Sequence, residues 1–96
     1  MKIYKTEQYK KWLTSVKDRK AVLRIDDKIS KLEAGIFGDS HTVGGYVSEL
    51  RIDYGPGYRI YFTKKGEEII ILLAGGTKKR QSEDILKAQK LVKKWR

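Results

Sequence analysis

Ninety-six residues with 40% hydrophobic and 35% charged side chains suit one globular domain with a single modest core, and exclude a disordered chain. The absence of cysteine excludes disulfides and cysteine-ligated metals, and no apolar run approaches the ~18 residues of a membrane span. With no signal-peptide core at the N-terminus, the expected location is the cytoplasm.

The net charge of +10 is unevenly spread. Residues 1–35 hold ten Lys/Arg against five acids, residues 36–76 four against five, and residues 77–96 eight against two. A basic excess at both ends suits a polyanion, because each neutralised phosphate releases counterions. An acidic protein partner would be drawn by the same field.

Lys2-Ile3-Tyr4 reads as a short first strand. From Thr6 to Lys17, Tyr9, Trp12, Leu13 and Val16 recur at helical spacing, with Thr6 as N-cap. From Asp18 to Ala34 the stripe is Val22, Ile25, Ile29 and Leu32, with Asp18 placed to cap and Gly35 at the helix-ending position. The short junction near Lys17 predicts an antiparallel helical hairpin. Its polar side carries Lys10, Lys11, Lys17, Arg24, Lys28 and Lys31. A solvated helix face explains those cations; RNA contact through Lys10 and Lys28 is the functional alternative. Ile36 to Gly45, rich in glycine, reads as a loop; its one titratable residue of catalytic interest is His41, the sole histidine, for which plain exposure is the expectation and catalytic service the lesser alternative. One histidine without cysteine does not make a metal site.

The most informative stretch is Glu49 to Lys79. Two alternating runs flank Gly55-Pro56-Gly57, the pattern of half-buried antiparallel strands. A three-residue loop opposes Asp53 to Arg59, Arg51 to Tyr61 and Glu49 to Thr63. It sets Leu50, Ile52, Ile60 and Phe62 on one face. Glu49, Arg51, Asp53, Arg59 and Tyr61 then share the other, expected to be exposed. Asp53 against Arg59 would make a cross-strand ion pair without any chemistry. A third strand, Glu67 to Ala74, has an apolar run fit for burial on both faces and is expected to end at Gly75-Gly76. Thr77, Lys78, Lys79 and Arg80 lead into a last helix buried through Ile85, Ala88, Val92 and Trp95. The glycines and lysines lack the spacing of a Walker phosphate loop. The expected architecture is α+β: two N-terminal helices in a hairpin, a small, mainly antiparallel sheet and a C-terminal helix.

The hairpin VSELRIDYGPGYRIYF, the strand ending LLAGGTKK and the helix QSEDILKAQKLV together resemble the addiction-module killer proteins, the HigB-like branch of the RelE/ParE toxin superfamily. The likeness is close over roughly residues 45–92, and the two preceding helices fit the family order. It implies a single RelE/ParE-like domain, a type II toxin needing no cofactor, whose partners are messenger RNA on the ribosome and a cognate antitoxin, typically a helix-turn-helix protein. Gly57-Tyr58-Arg59 matches a glycine-aromatic-arginine pattern of RelE-like toxins, Arg51 is the counterpart of a basic residue before the turn, and Lys78, Lys79 and Arg80 follow the last strand as basic residues do there. The tyrosine or histidine that many relatives carry near the chain end has no counterpart in residues 84–96.

Cutting RNA through its 2'-hydroxyl needs a base, cations on the phosphorane and an acid for the leaving oxygen. Arg59 and Arg51, with Lys78 or Lys79, supply charge; Glu49 is the candidate base and Tyr61 the next proton-transfer group, its pKa lowered by a nearby cation. Lys79, Arg80, Lys10 and Lys28 are candidate RNA contacts. A ParE-like poison of DNA gyrase and a non-catalytic basic RNA- or partner-binding module remain open alternatives.

Overall fold

A computed structural model describes residues 1–95. The chain is α+β, with three α-helices and a five-stranded mixed sheet. In order come β1 (Lys2–Lys5), α1 (Glu7–Ser15), α2 (Arg19–Glu33), β2 (Ser40–Gly44), β3 (Val47–Ile52), β4 (Tyr58–Lys65), β5 (Ile69–Thr77), a 3-10 turn (Lys78–Arg80), α3 (Gln81–Leu91) and a closing 3-10 turn (Val92–Trp95). The sheet order is β1-β5-β4-β3-β2, antiparallel except for the parallel pair β1–β5. Among the described residues no helix is long and apolar enough to cross a membrane.

The helix starts follow from capping chemistry. Thr6 is an N-cap whose hydroxyl oxygen accepts from Tyr9 N–H while the hydroxyl donates to Leu72 O at 2.7 Å, so one buried side chain both starts α1 and ties it to β5. The Asp18 carboxylate accepts from the N–H groups of Lys20 and Ala21, and Gly35, at φ 83°, follows the end of α2. Tyr9, Ala21, Ile25, Ile29 and Leu32 form the core on one face of the sheet with Leu50, Ile52, Ile60, Phe62, Ile70 and Leu72. Val22, expected in this stripe, is only half-buried. The opposite face packs Val47, Tyr61, Ile71, Leu73 and Ala74 against Ala88 and Val92. Leu73 is an extra residue between the pairs Tyr61–Ala74 and Phe62–Leu72, a bulge that turns both Leu73 and Ala74 toward α3.

Three expectations are corrected. The glycine-rich segment before residue 46 contains a strand, β2, so His41 sits on a sheet edge rather than in a loop. The last strand does not stop at Gly75-Gly76 but runs through both to Thr77. The hairpin register is shifted by two: Ile52 opposes Tyr58, Arg51 opposes Arg59 and Glu49 opposes Tyr61, leaving a five-residue loop. Gly55 and Gly57 take φ values of 56° and 80° in that loop. Tyr54 is drawn instead to the start of α2, donating to Asp18 at 3.0 Å beneath the Arg24 guanidinium. Asp53 therefore lies beyond β3 and makes no cross-strand pair with Arg59. A slip of two preserves which face each side chain takes.

Candidate functional site

Glu49 and Arg51, two apart on β3, point to the α3 face together with Arg59 and Tyr61 of β4. Glu49 is fully buried, and the groups around it come from four elements. Its Oε1 accepts from Arg51 Nε at 3.1 Å and lies 3.2 Å from His41 Nε2 of β2, its register partner. Arg59 Nε approaches the same oxygen to 3.8 Å, an ion-pair distance too long for a hydrogen bond. Gln81, the first residue of α3, donates to Oε2 at 2.8 Å. Arg51 and Arg59 are direct cross-strand neighbours, an arrangement that repels unless an anion lies between them. Glu49 is that anion. Burial pushes its carboxyl up, but hydrogen bonds from Gln81 and Arg51 and the charges of Arg59 and Arg51 outweigh it and hold the group below the ordinary range. A carboxylate held ionised, with both oxygens engaged, is an anchor for cations rather than an available base.

The expectation of an open polar face is also corrected. Glu49 and Tyr61 are fully buried and Arg59 is 6% exposed; α3 and the turn after it supply the cover, with Ala88 and Val92 in one cluster with Tyr61. Among the described residues, the Tyr61 hydroxyl and Arg59 Nε are buried with no partner at hydrogen-bonding geometry. The Tyr61 phenol is moved opposite to the direction expected: burial pushes its pKa up, as do the Glu49 and Asp84 carboxyls, and Arg59 only partly offsets them. Solvent reaches the cluster through Arg51 and His41, whose side chains are 42% and 40% exposed.

Lys78 follows directly from β5. Its N–H donates to Gly57 O at 2.8 Å, and its side chain passes Gly57, where a Cβ would meet Lys78 Cβ at 3.3 Å and Arg59 Nη1 at 3.6 Å. The bare Cα of Gly57 thus lets the lysine stem and the Arg59 guanidinium converge at one turn. Lys79 is exposed, and Arg80 Nη2 pairs with Glu83 at 2.9 Å. Lys10, paired with Glu7 at 3.6 Å on α1, and Lys28 on α2 belong to the helical layer on the other face of the sheet. Lys28 lines a groove there with Lys20, Arg24, Lys31 and Asp53.

Three residues of the site were not among the expected site residues. His41 required a strand within the glycine-rich segment, signalled only by the β-prone Ser40–Val43 run. Gln81 is a polar helix-start residue with no distinguishing spacing. Asp84 lies one turn into α3, 7% exposed, pressed against Gly76, the register partner of Arg59. Its Oδ2 has no hydrogen-bond partner among the described residues, and burial pushes its carboxyl up against the opposing pull of Arg80 and Lys87. A carboxyl raised on folding contributes stability below its unfolded pKa and loses it as pH rises through the folded value. Asp84→Asn is therefore expected to stabilise the protein by about 1 kcal/mol at pH 7. The gain should vanish below about pH 4, where the parent carboxyl is also neutral. Urea denaturation at the two pH values measures both.

The sequence matches no family model. It is 38% identical over 92 residues to an uncharacterized protein of Haemophilus influenzae, a match spanning 96% of this chain and 93% of that one.

Proposed function

We propose, from the premise that this chain belongs to one family with the Haemophilus influenzae protein, that it is the toxin of a type II toxin–antitoxin pair. Its fold is of the RelE/ParE kind and it acts in the cytoplasm. It cuts messenger RNA on the ribosome by attack of the ribose 2'-hydroxyl on the adjacent phosphate. The observation that carries this reading is the buried Glu49 carboxylate holding two guanidiniums side by side, one of them open to solvent, next to the turn that bears Lys78. The resemblance of residues 45–92 to the HigB-like killer proteins and the net charge of +10 support it from the sequence.

In this mechanism the Arg51 fork binds the non-bridging phosphate oxygens, which gain charge in the phosphorane. Arg59 adds positive potential from behind, and Glu49 keeps both forks in place. Lys78 and Lys79 extend the cationic surface along the RNA backbone. A cognate antitoxin, of helix-turn-helix type, neutralises the protein. The burial of Arg59 and Tyr61 favours one second reading, a ParE-like gyrase poison, which requires no exposed nuclease residues.

Induction of the parent and of Arg51→Ala in cells separates the two. Cuts in ribosome-bound messages, reduced about 10²-fold by Arg51→Ala, are expected. Intact messages with DNA breaks would replace the nuclease by the gyrase reading.

A further inference from the structure

Around Glu49 Oε1 two side chains reach solvent from neighbouring strands: Arg51 of β3 and His41 of β2. Both contact the same oxygen, at 3.1 and 3.2 Å, so the imidazole and the guanidinium are held together at the open rim of an otherwise buried cluster. The pairing of His41 with Glu49 across β2 and β3 fixes the imidazole's place through the backbone. An ionised carboxylate only accepts hydrogen bonds, so its approach to 3.2 Å favours, in a neutral ring, the proton on Nε2 and the lone pair on Nδ1. Glu49 has its oxygens occupied, and Tyr61 is buried with its phenol held protonated. The His41 side chain is part-exposed, and imidazole is the side-chain type most often used for proton transfer in catalysis.

We propose that His41 is the catalytic base of the RNA cleavage put forward above, a proposal that rests on that reading. With a phosphodiester on Arg51, His41 Nδ1 takes the proton of the 2'-hydroxyl. The 2'-oxygen forms its bond to phosphorus as the bond from phosphorus to the 5'-oxygen breaks. The departing 5'-oxygen takes a proton from water, and the hydroxide left behind is neutralised by the proton on His41. The products are a 2',3'-cyclic phosphate and a 5'-hydroxyl end, with no net water consumed. Glu49 is the positioning residue that fixes the ring's tautomer.

The test is single-turnover cleavage of a defined message on purified ribosomes by the full chain, with His41→Ala, His41→Gln and Arg51→Ala beside the parent. His41→Ala is expected to lose about 10²-fold or more in rate at unchanged ribosome affinity, and added imidazole to restore part of it. His41→Gln preserves size and hydrogen bonding and guards against a folding artefact; it too is expected to be slow, with an unchanged circular dichroism spectrum. Independently, nitrogen-15 spectra of this single histidine should show the Nε2–H tautomer in the parent and a tautomer mixture in Glu49→Gln. Parental rates in both His41 variants, with Arg51→Ala slow, would overturn the proposal and leave the nuclease standing. A slow His41→Ala that imidazole does not rescue would overturn it in favour of a structural role. A parent that cuts no message would remove the nuclease reading, and the proposal with it.

Discussion

Glu49→Ala is expected to cost about 3–5 kcal/mol of folding stability, because it strands the Arg59 guanidinium, 6% exposed, beside Arg51 with no anion between them. Against the roughly 5–15 kcal/mol that domains of this kind possess, that is a large share. The attraction within a buried ion pair barely offsets the cost of drying its members, so removing both charges should be far less damaging than removing one. Glu49→Leu combined with Arg59→Met is accordingly expected to be more stable than either single variant, as read from urea midpoints at pH 7. Acid should mimic the loss. Glu49 is held below the usual carboxyl range on folding, so its contribution is complete above about pH 5 and is lost as pH falls through the lowered value. If Glu49→Ala unfolded at the parental urea concentration, the anchoring role assigned to this carboxylate would be wrong.

Gly75→Ala is the second large effect. A methyl group there would collide with the Trp12 ring, which lies over the bare Cα of this residue in the middle of the α1–β5 contact. The ring packs against Tyr9 and Tyr58, with centroids at 5.8 and 6.3 Å, so any retreat from a methyl group at residue 75 disturbs those contacts. Overpacking of this kind costs about 1–3 kcal/mol or more. Adding Trp12→Leu to Gly75→Ala should recover part of the loss, although Trp12→Leu alone is destabilising. Additive losses in a double-mutant cycle would mean that the two positions are not in contact.

These two positions also show what could be read from the chain in advance. Local chemistry was legible: Thr6 and Asp18 cap the helices they were expected to cap, and Gly35 follows the second. The hairpin alternation correctly divided Leu50, Ile52, Ile60 and Phe62 from Glu49, Arg51, Arg59 and Tyr61. Alternation fixes only the parity of the pairing, however, so a slip of two was invisible until the pull of Asp18 and Arg24 on Tyr54 was known. Gly75 and Gly76 looked like a terminus because glycine weakens an isolated strand. Here they continue it, because Trp12 and Asp84 press from opposite sides where side chains would otherwise stand. The polar face looked open for a related reason. Charged residues at every second position read as solvent-facing, and nothing local announces that α3 will lie across them with Gln81 aimed at Glu49. For the same reason His41 was expected to be merely exposed: its partner lies eight positions later on another strand.

The first strand of the sheet in chain order is the one that waits longest for its neighbour. Lys2 hydrogen-bonds to Glu68 and opposes Ile69, in a segment that emerges only after two helices and three strands have been made. Until then β1 has nothing to zip against, and Thr6 cannot reach the carbonyl of Leu72 that secures the following helix. Closure of so long a chain loop is a slow step in assembly. A nascent chain that stops short of β5 therefore cannot complete this sheet.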